Sequence, residues 1–323
     1  MYKKMLVPLD GSRVAEVVFD YARELAARLR LDLTLLHVCT PEEYELHPMH
    51  RVYIDHAAEQ IRRASEKMQN SQPAGEARHG VQARGVLTMG HPAEEILRFA
   101  DEDDIDIILM ATHGHSGMGR WAIGSVADKV LRVTRVPVWL VRAGLPYEIV
   151  HDRFPRRAML VPLDGSPLAE VALPHVEALA RQRGADLVQV ILLRVCAPSG
   201  FPSTSGADVS QECQALAERQ LACETLQAQR YLDTTAGRLT EIGLRVKTEV
   251  LTGPPAATII DYAETHPLHL VVMATHGWTG QLWWPWGSVA GRVLESVSSP
   301  VFLVRCGTPA REEPRPGTLA CVT

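Results

Sequence analysis

The chain repeats itself at the scale of a whole domain. Leu6-Val7-Pro8-Leu9-Asp10-Gly11-Ser12 returns letter for letter as Leu160-Val161-Pro162-Leu163-Asp164-Gly165-Ser166. Met110-Ala111-Thr112-His113-Gly114 returns as Met273-Ala274-Thr275-His276-Gly277, and Gly124-Ser125-Val126-Ala127 as Gly287-Ser288-Val289-Ala290. A period of roughly 150–160 residues exceeds any solenoid unit and matches one ordinary domain. The chain therefore reads as two tandem copies of one fold, each with its own potential site. The offset between copies grows along the chain: 160 − 6 = 154 at the first motif, 195 − 38 = 157 at the second strand, 273 − 110 = 163 beyond. The second copy thus gains residues around its first helix and again in the following loop. That loop, Pro198–Asp208, is rich in Ser, Gly and Pro and reads as a mobile segment.

With 323 residues, 46% hydrophobic and 22% charged, each copy is long enough to bury a core. The net charge of -5 offers no electrostatic case for nucleic acid or a membrane surface. No stretch reaches the ~20 apolar residues of a membrane span. Asp10 and Gly11 cut short the apolar run behind Lys3 and Lys4, which argues against a signal peptide. A cytoplasmic protein is expected. Cys39 and Cys196 fall at matching places after apolar runs, the setting of buried reduced thiols. Cys213, Cys223, Cys306 and Cys321 show no metal-ligand spacing.

Hydrophobic patterning alternates strand and helix. In the first copy, strands are expected at Lys4–Leu9, Leu31–Cys39, Val81–Leu87, Ile105–Ala111 and Pro137–Arg142. Helices are expected at Ser12–Leu29, Arg51–Gln69, Ala93–Asp101 and from Gly124-Ser125 onward, with Thr40–Met49 as a loop. Ser166-Pro167 gives the second copy's first helix a cap and a proline at its first position. This βαβ alternation predicts an α/β architecture: two tandem doubly wound domains, each a parallel sheet with helices on both faces. The expected divisions are a first domain at 1–142, a linker at 143–156, a second domain at 157–306 and a flexible tail at 307–323.

Ligands of such sheets settle beyond the carboxyl ends of the strands. Asp10 and Asp164 end the first strand of each copy, and Val38 and Val195 lie near the end of the second. The fourth strand runs into a Gly-rich loop: Gly114, nine residues, then Gly124-Ser125; and Gly277, nine residues, then Gly287-Ser288. Glycine lets backbone approach an anion closely, and Gly-Ser opens a helix whose free N–H groups attract phosphate. The P-loop pattern is absent. The two aspartates could equally serve as turn residues and helix caps; their position at the sheet edge favours ligand contact.

These motifs, twice each and in the same order, resemble the universal stress protein family, and the resemblance spans both copies. It implies a five-stranded sheet of order 3-2-1-4-5 that binds ATP, with Mg or Mn carried on the phosphates. By that resemblance Pro8, Leu9, Asp10 and Val38 face the adenosine end, and Met110, Ala111, Gly114, Gly124, Ser125 and Val126 line the ribose and phosphates. Their counterparts are Pro162, Leu163, Asp164, Val195, Met273, Ala274, Gly277, Gly287, Ser288 and Val289. The family's first loop glycine is alanine in both copies, Ala111 and Ala274. Alanine keeps the backbone N–H but would be strained at a positive φ.

The two loops differ. The first contains Arg120, a phosphate partner; the second contains no Lys or Arg but carries Trp278, Trp283, Trp284 and Trp286. Nucleotide is therefore expected in the first domain, and the Trp-rich loop as a packing surface against the other copy or a partner chain. His47, His50 and His56 lie close in sequence without a Cys or carboxylate at ligand spacing, so no metal site is assigned. His113 and His276 sit inside the loop motif, and no Ser-His-Asp arrangement stands out. The leading reading is a ligand-dependent switch or scaffold with an unknown protein partner. Its rivals are an interaction scaffold with lapsed sites and a slow adenine-nucleotide hydrolase. The last strands would be bare edges unless the copies pair within one chain, as an internal pseudo-dimer that could itself form a homodimer.

Overall fold

The computed structural model describes residues 2–13, 15–41, 47–70, 80–112, 123–142, 157–197, 211–275 and 287–305. Each half winds as the alternation requires. In the first half β1 (Lys4–Leu9), β2 (Asp32–Cys39), β3 (Ala83–Met89), β4 (Ile107–Ala111) and β5 (Val138–Val141) form the sheet. They are linked by α1 (Val18–Leu29), α2 (His47–Asn70), α3 (Pro92–Glu102) and α4 (Ser125–Val133). The second half repeats the plan with β6 (Arg157–Pro162), β7 (Val188–Cys196), β8 (Arg245–Thr252), β9 (Leu270–Ala274) and β10 (Val301–Val304). Its helices are α5 (Pro167–Glu170), α6 (Leu173–Arg183), α7 (Gln211–Glu241), α8 (Pro255–Thr265) and α9 (Ser288–Ser296).

The strand order is β3-β2-β1-β4-β5-β10-β9-β6-β7-β8, one sheet of ten strands. Each half keeps the order 3-2-1-4-5 in parallel, and β5 meets β10 antiparallel, with Trp139 opposite Phe302. The copies therefore cover each other's last strand, and β3 and β8 become the outer edges. Two apolar layers run through both halves. One packs α1, α2, α5, α6 and α7 on one face; the other packs α3, α4, α8 and α9 on the opposite face.

Local chemistry sets where elements start. In α1, Val18, Tyr21, Ala22, Leu25 and Leu29 recur at helical spacing and are buried. Ser12 does not cap α1 directly: a 3-10 turn, Ala15–Val17, comes first, and the Ser12 hydroxyl accepts from the Ala15 N–H at 3.1 Å. Ser166 caps α5 through the Ala169 N–H at 3.1 Å, with Pro167 in the first turn as expected. The third strand begins at Ala83 rather than Val81, and α2 begins at His47, inside the stretch read as loop. The expected linker, the C-terminal tail and Pro198–Asp208 lie outside the described residues.

The joint between halves is chemically dense. Glu24, buried on α1, holds Arg28 at 3.2 Å and Arg157 at 3.0 Å and also pairs with Arg183. Burial lowers the pKa of both Arg157 and Arg183, which Glu24 opposes. The Tyr2 hydroxyl and His175 Nδ1 share a hydrogen bond of 2.5 Å, and both rings pack near Phe302. Arg142 reaches the Leu294 carbonyl at 3.4 Å and also the Glu295 carbonyl, while Arg305 reaches the Arg132 carbonyl at 2.8 Å. Since 142 + 163 = 305 and 132 + 163 = 295, the Arg142–Glu295 and Arg305–Arg132 contacts are one contact made twice across a pseudo-twofold axis.

Candidate functional site

The Asp-Gly-Ser turns are the same in both halves. Asp10 Oδ1 accepts from the Ser12 N–H at 2.9 Å and the Ser12 hydroxyl at 2.6 Å; Asp164 and Ser166 repeat both distances. Gly11 and Gly165 hold φ of 77° and 80°, the left-handed conformation that glycine permits without strain. The turn-and-cap role of these aspartates is thus present. In the first half Asp10 also borders a cavity.

That cavity, about 260 Å³, opens at the carboxyl edge of the first half's sheet. Of the residues expected there, Pro8, Leu9, Asp10, Val38, Met110, Ala111, Gly124, Ser125 and Val126 line it. Gly114 and Arg120 lie outside the described residues, as do His113, His276, Gly277 and the tryptophans of the second loop. Sequence reasoning missed Ala15, Leu36, Pro92, Ile96, Thr112 and Ala127 among the lining residues. Strand alternation gives Leu36, two residues before Val38 on the same face. Pro92 and Ile96 come from α3, whose packing over that face is a tertiary fact.

The walls are largely apolar, and Asp10, Thr112 and Ser125 add polar groups to the lining. The Gly124 N–H donates to the Thr112 carbonyl at 2.8 Å, which closes the base of the Gly-rich loop. Helix α4 starts at Ser125, so its first N–H groups and positive dipole end face the same opening. Ala111 lies in extended β4, paired with Val141, and is not among the residues with positive φ. Alanine in place of the family's glycine therefore brings no backbone strain, and Ala274 in β9 is placed alike.

In the second half, Leu163 and Met273 are buried and Pro162, Asp164, Val195 and Val289 are half-buried, on the corresponding elements. Two local differences appear. Gly287 starts α9 from φ 81°, where Gly124 starts α4 from φ -60°. On β7, Arg194 stands where β2 carries His37 (194 − 37 = 157). Its guanidinium lies against Gly165, where a Cβ would collide with it, and over the Tyr231 ring at 5.5 Å.

Beneath the turn, on the other face of β2, the first half holds a second cluster. His37 Nε2 lies 3.0 Å from His50 Nδ1, and Cys39 Sγ lies 3.3 Å from the same nitrogen. Cys39 and Cys196 are both buried and in no disulfide, as their surroundings in the sequence imply, but only Cys39 has a histidine partner among the described residues.

A doubly wound parallel sheet with an Asp-Gly-Ser turn and a Gly-Ser helix start at its carboxyl edge defines a class of α/β domains. The particular family follows from comparison with known proteins. The model of the "Universal stress protein family" matches residues 1–142 and 155–305. The chain belongs to that family, in tandem form. It is 30% identical over 148 residues to a universal stress protein of Bacillus subtilis, covering 44% of this chain and all of that one. It is 27% identical over 307 residues to one from Mycolicibacterium smegmatis, covering 93% of this chain and 96% of that one. The crystal structure of a universal stress protein from Archaeoglobus fulgidus superposes with a TM-score of 0.61 at 18% identity, over 94% of this chain and 98% of that one. Among the described residues no helix is long and apolar enough to cross a membrane.

Proposed function

We propose that the first half binds an adenine nucleotide, ATP with its phosphate-borne Mg or Mn, and that the chain acts in the cytoplasm as a ligand-dependent switch or scaffold for a protein partner. One observation carries this reading: an apolar cavity whose rim brings together the Asp10 turn and the first turn of α4. The apolar walls of Leu36, Val38, Ile96 and Met110 suit a flat, weakly polar base. The start of α4 suits phosphate, since it offers N–H donors and a positive dipole end without a bound proton to lose. The cavity's 260 Å³ lies near the lower end of small-ligand sites, roughly 300–1,000 Å³, which fits the nucleoside end with the phosphates outside. Occupancy would change the surface around the start of α4 that is offered to a partner.

Mass spectrometry of ligand released from the purified full chain tests this directly. The expected result is an adenine nucleotide at up to one per chain. Absence of any binding at millimolar Mg-ATP would leave the interaction scaffold with lapsed sites as the better account.

A further inference from the structure

We propose that His37, Cys39 and His50 form a zinc site in the first half, separate from the nucleotide cavity. The three side chains each offer one ligand atom, and these atoms all lie within 4.8 Å of one another. Strand alternation places His37 and Cys39 on one face of β2 and Leu36 and Val38 on the other. The cluster thus faces α2, whereas the cavity opens beneath α3 and α4. His50 comes from the first turn of α2 and tilts its ring 60° to that of His37, with centroids 4.3 Å apart.

Two of the three spacings come near those of a coordination shell, and the third lies within 4.8 Å. Zinc bonds of ~2.0–2.1 Å to nitrogen and ~2.3 Å to sulfur, at tetrahedral angles, separate two nitrogens by about 3.3 Å and nitrogen from sulfur by about 3.6 Å. The observed 3.0 Å and 3.3 Å need only a small expansion. Hydrogen bonding accounts for this arrangement less well. His50 Nδ1 carries either one proton or one lone pair, yet it faces both His37 Nε2 and Cys39 Sγ. A cation at the centre takes all three lone pairs at once. Two imidazoles and one thiolate are a borderline-soft set that selects zinc over magnesium or calcium. On binding, the Cys39 S–H bond breaks, a sulfur–zinc bond forms, and the proton passes to solvent. Half-buried His50 gives the ion its entry path, and water completes the fourth position.

The second half cannot repeat the site. Arg194 replaces His37, and a guanidinium has no lone pair to give. This cluster therefore takes one metal per chain. The position has a consequence for the turn above it: a Cβ at Gly11 would lie 3.9 Å from His37 Cε1, so zinc would brace the Asp10 turn from below.

The test is cobalt and zinc titration of the reduced full chain. Expected is one equivalent of Co²⁺ with a near-ultraviolet thiolate-to-cobalt band, displaced by Zn²⁺. Cys39→Ser should abolish the band, His50→Gln should weaken binding at least tenfold, and Cys196→Ser should change neither. Melting curves establish that each variant is folded; if Cys39→Ser fails to fold, His50→Gln decides the matter. No stoichiometric band in the parent chain, or a band that survives His50→Gln at unchanged affinity, overturns the site. The outcome is independent of ATP, so it stands or falls apart from the nucleotide reading.

Discussion

The two halves agree to a tenth of an ångström at the Asp-Gly-Ser turn and part company one strand away. Asp10–Ser12 and Asp164–Ser166 make the same bonds at the same distances. Beside them, β2 presents His37 and Cys39 to His50, while β7 presents Arg194 to Gly165 and Tyr231. The turn is fixed by backbone geometry that glycine and a capping serine must satisfy in any copy. The position beneath it carries no such demand, so it is free to diverge in charge and chemistry. Identical motifs therefore mark shared scaffold, and differences beside them mark where the halves differ in side-chain chemistry.

The strongest way to break the comparison is to break what the halves share. Glu24 is buried among three arginines from both copies. Glu24→Ala leaves those charges uncompensated and should cost roughly 3–5 kcal/mol. Chemical denaturation should show the loss in one cooperative transition, since both apolar layers run through both halves. Two separate transitions would show that the copies are stable independently.

Acid attacks the same joint. Burial lowers the pKa of His175 to about 4, and burial with Arg157 and Arg183 lowers that of His269 to about 3, against an ordinary 6.5. Both are neutral in the folded chain and protonate first in the unfolded one. Their contribution is complete above about pH 6.5 and is lost as pH falls toward 4, by about 3 kcal/mol for His175. Thermal melting across that range should show the fall, and His175→Gln should flatten it.

A smaller change separates the halves. Val126 lines the cavity at the start of α4, and Val289 is its counterpart on α9. Val126→Trp should fill the opening and weaken ATP binding tenfold or more, about 1.4 kcal/mol; Val289→Trp should leave it unchanged. The smallest effect tests sameness. Ser12→Ala and Ser166→Ala each remove one cap, and each should cost about 1 kcal/mol by denaturant midpoint. Unequal losses would mean that the turns differ in ways their distances do not show.

Much of this was legible in the sequence because duplication doubles every signal. The helix faces follow from alternation, while the strand order within each half and nine of the cavity's residues follow from the family resemblance that the repeated motifs carry. The joint was legible only as two unpaired edges: nothing in the letters says that Trp139 meets Phe302 or that Glu24 meets Arg183. The His37–Cys39–His50 cluster escaped for a related reason. His37 and Cys39 share a face by periodicity, but α2 delivers His50 to them only when it folds back over β2. Sequence spacing sees ligands within one element, and this group spans two.

Isothermal titration of the full chain with Mg-ATP, repeated on Val126→Trp and Val289→Trp, tests the central claim that one shared scaffold carries unlike sites. The account predicts one site per chain, lost in Val126→Trp and intact in Val289→Trp. Two equivalent sites, or a single site lost only in Val289→Trp, would contradict it.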